Sequence, residues 1–175
     1  NPVFFTENQG ENINPHKDLP LEESARIIIS HVADGLKMAE KAGLPPQVRE
    51  FIATHHGHGK AKYFYNTYCN THPGEPVDEE KFTYPGHNPQ TKETGILMMA
   101  DAVEAASRSL KEYNETSISQ LVNRIIDSQI ADGLLKATPL SFRDVETIKE
   151  VFTEKLMTIY HTRISYPTLQ NTGQV

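Results

Sequence analysis

The stretch ETGILMMADAVEAASRSLKEY, residues 93–113, decides the fold. Ile96, Met99, Val103, Ala106 and Leu110 recur at spacings of three and four, the period that puts side chains on one face of a helix. Asp101 stands among Met98, Met99, Ala100 and Ala102, so the pattern draws a carboxylate toward the apolar side. Aspartate is seldom buried unless it is paired or coordinating. One segment therefore predicts both a helix and a site.

The same period extends outward in both directions. LEESARIIISHVADGLKMAEKAG, starting near Pro20, is expected to form a first helix, with Glu22 and Glu23 in its first turn and Gly43 closing it. Its apolar residues Ile27, Ile28, Val32, Leu36 and Ala39 fall near one face, with His31 beside them. Pro45 and Pro46 open a second helix, PQVREFIATHHG, stopped by Gly57 and Gly59. Val48, Phe51, Ile52 and His55 share a face of it, which predicts that His55 points inward. KAKYFYNTYCNT reads as a further helical stretch. Downstream, NETS caps the helix ISQLVNRIIDSQIADGLL, which ends near Gly133, and Pro139 and Ser141 lead into SFRDVETIKEVFTEKLMTIYHTRI. No convincing alternating strand interrupts this series, so the fold class is all-α.

Between the helices lies HPGEPVDEEKFTYPGHNPQTK, residues 72–92, with prolines at 73, 76, 85 and 89. That density of breakers predicts a loop, and a loop this long in a compact domain is usually functional or disordered. It is expected to be a flap or insertion. The 175 residues suit one domain, placed at 1–166, with a flexible tail at 167–175.

Composition narrows the function classes. A net charge of −6 argues against a generic DNA or RNA binder, which needs a basic stripe to neutralise phosphates. A small anionic ligand is still compatible, because a bound metal supplies local positive charge. The single cysteine, Cys69, excludes an intramolecular disulfide framework and suits a reducing compartment. No apolar run approaches the 18 or so residues of a membrane span. The chain opens on NPVFFTENQ, without Met and in the middle of an apolar phrase, and is expected to be a piece of something longer.

The chemistry concentrates in IATHHGHGKAKYFY, residues 52–65. His55 and His56 at a helix end, His31 on the preceding helix and Asp101 on a later one bring imidazole and carboxylate ligands from separate helices, as helical metal centres do. Each histidine taken alone also fits a hydrogen-bonded packing residue, and His58, between two glycines, fits an exposed loop residue. His72 and His87 are further imidazoles within the breaker-rich segment.

Taken in order, IIISHVADG, THHGHGKAKYFY and MMADAVEAASR resemble the HD-domain hydrolases. They resemble most closely the cytoplasmic HD domain of the seven-transmembrane HD receptors, the PgpH-like family of bacterial membrane proteins. NPVFFTENQ is similar to that family's stretch just after its HD-[IL]-GK motif. The resemblance implies an all-α HD-domain bundle with a two-metal centre, manganese or iron, that hydrolyses cyclic di-AMP to linear pApA. It assigns His31, His55 and His56 to one metal and Asp101 to the other. The family's founding His and His-Asp pair would precede NPVFF. The fold is therefore expected to be N-terminally truncated, binding one metal or none and inactive alone, with its complete form the cytoplasmic domain of an integral inner or plasma membrane protein.

Beyond the metal ligands, Lys60, Lys62 and Arg108 are placed to approach phosphate, and Tyr63, Tyr65 or His58 to stack on adenine. The alternative for each is a solvated charge or a packing aromatic; for the two lysines the solvated charge is the preferred reading, and for Arg108 the two stand near even. A homodimer is compatible with the sequence. The alternatives are another HD-type nucleotide phosphohydrolase or a non-catalytic helical signalling or dimerisation module. Bound metal with phosphodiesterase activity in an extended chain would exclude the module.

Overall fold

The computed structural model describes residues 16 and 18–161, and six α-helices carry the fold among them. They are α1 (Leu21–Lys41), α2 (Pro46–Thr54), α3 (Lys62–Thr71), α4 (Lys92–Ser107), α5 (Glu115–Ala131) and α6 (Phe142–His161). The opening phrase NPVFFTENQ and the tail 167–175 lie outside the described residues. The all-α expectation holds: the described residues contain no strand, only an isolated antiparallel bridge between Lys60 and Thr83.

Local chemistry sets the helix ends. Pro46 occupies the first turn of α2, where its missing N–H has no partner to lose. Thr91 and Asn114 cap α4 and α5 through reciprocal bonds with Thr94 and Ser117. At the start of α6, the Ser141 N–H donates to the Asp144 carboxylate at 2.8 Å and the Asp144 N–H to Ser141 Oγ at 3.1 Å.

The helices pack as two units, each with its own core. Ala25, Ile28, Val32, Ala61, Phe64, Phe82 and Tyr84 form the first, around α1 and α3. Met98, Met99, Val103, Ile118, Val122, Ile126, Leu134, Leu135, Ile148 and Leu156 form the second, around α4, α5 and α6. Helices α2 and α4 pack against each other, and the two units meet there.

Two expectations need correction. The buried face of α4 is Thr94, Gly95, Met98, Met99, Val103 and Ser107, whereas Ile96 is 37% exposed. The stripe is rotated from the sequence-based one because the helix packs against α2, α5 and α6, and it stops at Ser107 instead of running to Tyr113. Asp101 is consequently not sealed in the core: its side chain is 43% exposed.

The segment 72–92 is not a flap. Glu79–Phe82 forms a short 3-10 helix, and Phe82, Tyr84 and Pro89 are buried. The Ala61 N–H donates to Phe82 O and the Tyr84 N–H to Gly59 O, each at 2.8 Å, so the segment docks on the chain just before α3. Prolines exclude regular structure there without excluding burial of the aromatics between them.

Candidate metal centre and cleft

The histidines come together because α2 stops one residue before them. The helix ends at Thr54, His55 is its C-cap, and Gly57 turns the chain at φ +52°, a conformation in which a side chain is strained. The Gly57 N–H donates to Thr54 O and the Gly59 N–H to His56 O, so tight turns hold the imidazoles of His55 and His56 close, with ring centroids 4.2 Å apart. His31, on α1, faces them. One nitrogen from each of His31, His55 and His56 lies within 4.8 Å of the other two.

The finer geometry suits a cation. His31 Nδ1 lies 2.6 Å from Ile28 O and His55 Nδ1 lies 2.8 Å from Ile52 O. A carbonyl accepts only, so each Nδ1 carries the proton and each Nε2 presents a lone pair. Those two Nε2 atoms are 2.9 Å apart. Facing lone pairs at that distance repel unless a positive centre lies between or beside them. Two nitrogens each about 2.1 Å from one ion, at right angles, would be about 3.0 Å apart. The residues therefore fit a metal, for which the helix carbonyls would act as the outer partners that orient the imidazoles.

The surroundings favour the neutral forms of His31 and His56. Burial pushes the His56 imidazole down to about 2, with His55 and His31 adding to the shift. Burial also lowers His31, against the opposing bond from Ile28 O. For Asp101 burial pushes the carboxyl up, and His55 and His31 pull the other way. Asp101 Oδ2 is 3.9 Å from His56 Nδ1, beside the triad.

A cleft of about 990 Å³ opens over these groups, between the two packing units. His31, His55, His56, Tyr84 and Asp101 line it, as do Lys60, Lys62, Tyr63 and Arg108. The substrate-binding candidates therefore divide. Lys60, Tyr63 and Arg108 reach the cleft, whereas His58 and Tyr65 do not line it. His58 is exposed, and its backbone N–H is held by Asn88 Oδ1 at 2.9 Å. The Tyr65 hydroxyl donates to Glu79, and its ring lies under Lys60 Nζ at 4.3 Å. His72 stacks on Tyr68 and His87 pairs with Glu50, so neither joins the triad.

Sequence reasoning missed Tyr84, whose ring stacks on His56 with centroids 4.1 Å apart. It also missed Arg124 and Gln129 of α5 on the far wall. The alternation of Phe82 and Tyr84 inside the proline-rich segment was the available signal for the first. Nothing local singles out Arg124.

The fold and site together define a class: residues 7–106 match the HD domain, and the chain belongs to that family. The solved HD domain of the Listeria monocytogenes phosphodiesterase PgpH is 34% identical, superimposes with a TM-score of 0.82, and covers 91% of this chain and 74% of its own. The same domain in complex with cyclic di-AMP gives the same score and identity over 91% and 73%. The cyclic-di-AMP phosphodiesterase PgpH of Bacillus subtilis is 39% identical over 166 residues, which is 95% of this chain but 23% of that protein. This chain thus spans about a quarter of the curated relative's length. No helix among the described residues is long and apolar enough to cross a membrane.

Proposed function

We propose that this domain is a metal-dependent phosphodiesterase that opens cyclic di-AMP to linear pApA by hydrolysis of one phosphodiester bond. The observation that carries this reading is the pair of Nε2 lone pairs of His31 and His55 at 2.9 Å, with His56 alongside. Its support is the family, the likeness to a PgpH HD domain solved with cyclic di-AMP, and a cleft at the upper end of ligand-pocket volumes.

His31, His55 and His56 would hold one divalent ion, and Asp101 stands where it could join a second, manganese or iron in either case. A divalent ion bound there supplies Lewis-acid charge to a phosphoryl oxygen. The chain's own residues hold the geometry. The Ile28 and Ile52 carbonyls fix the imidazole tautomers, Tyr84 fixes the His56 ring, and Tyr63, 53% exposed at the cleft, offers a face on which adenine stacks. We place the domain on the cytoplasmic side of a membrane protein.

The test is cyclic di-AMP hydrolysis with added Mn²⁺, followed chromatographically, on this chain and on one extended at its N-terminus. Formation of pApA by the extended chain, with little or none by the shorter one, is the expected result. If neither forms pApA while metal is bound, the substrate is wrong, and another HD phosphohydrolase activity or a signalling role takes its place.

A further inference from the structure

Four cationic side chains line the cleft, and three of them are already neutralised. Lys60 Nζ lies 2.7 Å from Glu79. Lys62 Nζ lies 2.5 Å from Asp132 and 2.7 Å from Ser128 Oγ. Arg108 makes a forked contact with Glu104, its shortest bond 2.8 Å. The fourth is Arg124, on the exposed side of α5, and among the described residues it has no hydrogen-bond or ion-pair partner.

Helix register places Arg124 near the chemistry. Helices α4 and α5 are antiparallel neighbours, and Gln129 Nε2 donates to Met98 O, which fixes their relative height. Five residues back along α5, about 7.5 Å, bring Arg124 level with Val103. Asp101 is two residues away on α4, about 3 Å along the axis. Arg124 therefore stands at about the height of Asp101, one helix over, in the wall of the same cleft.

We propose that Arg124 binds the phosphate of the cyclic dinucleotide that is not being cleaved, and so positions the other phosphate at the histidine triad. This rests on the phosphodiesterase reading. A cyclic dinucleotide carries two phosphates on opposite sides of its ring, and the triad end of the cleft serves one. The second needs a donor that is charged and uncommitted. A guanidinium presents paired N–H groups that match two phosphate oxygens, which an ammonium cannot do. Lys60, Lys62 and Arg108 would each first have to give up a carboxylate partner; Arg124 gives up only water. An arginine serving solubility alone would gain nothing from this position in the wall of a cleft.

The test is equilibrium binding of cyclic di-AMP and of AMP to wild type, Arg124→Ala and Arg124→Lys, at two salt concentrations, with Mn²⁺ affinity measured alongside. Loss of a charge-assisted phosphate contact should weaken cyclic di-AMP binding about 10- to 100-fold in Arg124→Ala, with a shallower salt dependence. Arg124→Lys should recover the salt dependence but only part of the affinity. AMP, with one phosphate for the triad end, should change less than about 3-fold, and Mn²⁺ affinity should not change. Equal cyclic di-AMP binding by wild type and Arg124→Ala overturns the proposal and leaves the phosphodiesterase reading standing. An equal loss for AMP overturns it too, since Arg124 would then hold the reacting phosphate. Failure of wild type itself to bind cyclic di-AMP removes both.

Discussion

The two packing units hold together by different means. The α4–α6 unit is an aliphatic helix sandwich: Met98, Met99, Val103, Ile118, Val122 and Ile126 are nearly inaccessible and come from helices with full capping boxes. The α1–α3 unit is closed by aromatics, and two of them, Phe82 and Tyr84, come from an irregular segment. The first kind of core is built from regular helices whose apolar residues recur at helical spacing. The second requires a loop to be pinned in place, and the same loop then buttresses the histidine cluster through Tyr84 and His56.

The contrast is sharpest at Phe82, 1% exposed in a segment whose composition reads as a flap. Truncating a fully buried phenylalanine costs about 3–5 kcal/mol, so Phe82→Ala should lower the urea midpoint as much as a core change in α5 does. A cost below about 1 kcal/mol would return residues 72–92 to the surface and dissolve the difference between the units.

Next in size is Gly86, where the loop touches the end of α2. A Cβ there would lie 2.5 Å from Ala53 O and 2.8 Å from Gly57 O. Both obstacles are backbone, so the loop itself must move. Gly86→Ala should cost about 1–3 kcal/mol by overpacking, and weaken Mn²⁺ binding because Gly57 follows the two histidines. Unchanged metal affinity at reduced stability would uncouple the loop from the site.

Lys62 joins the two units across the cleft through Asp132 and Ser128. Both charged side chains are about half exposed, at 48% and 44%, so Lys62→Ala should cost no more than about 1 kcal/mol. The expected signature is faster amide exchange in α3, without a change in α6. Equal exchange everywhere would mean that the bridge does not restrain the cleft.

The smallest effect lies wholly within the second unit. Asp144 accepts from the Ser141 N–H and hydroxyl and from Lys92, and these hold its carboxyl down to about 2, against 3.8 ordinarily. A depressed carboxyl stabilises above its unfolded value and loses that contribution as pH falls from about 4 through about 2. Wild type should therefore exceed Asp144→Asn in melting temperature near neutrality, with the gap narrowing as pH falls over that window. A constant gap would assign the effect to something other than ionisation.

Much of this was legible beforehand. The all-α class and the six helices follow from apolar spacing and helix stops, while the grouping of His31, His55 and His56, which the structure brings together, is implied by the family resemblance. What escaped depends on tertiary placement. The rotation of the α4 stripe is set by what flanks the helix, so Ile96 faces outward and Asp101 faces the cleft instead of the core. Burial of Phe82 and Tyr84 depends on backbone bonds to Ala61 and Gly59, far upstream. Arg124 is one charge among many on an amphipathic helix until α4 is set beside it.

The measurement closest to the central claim is Mn²⁺ binding by calorimetry to wild type and to His31→Ala, His55→Ala and His56→Ala. Each loss should weaken binding by more than about 100-fold, since losing even an outer partner of a ligand costs 10- to 100-fold. The far-UV spectrum should stay helical throughout. Metal binding of wild-type strength in all three variants would contradict the account, because the facing Nε2 atoms of His31 and His55 would then hold no ion.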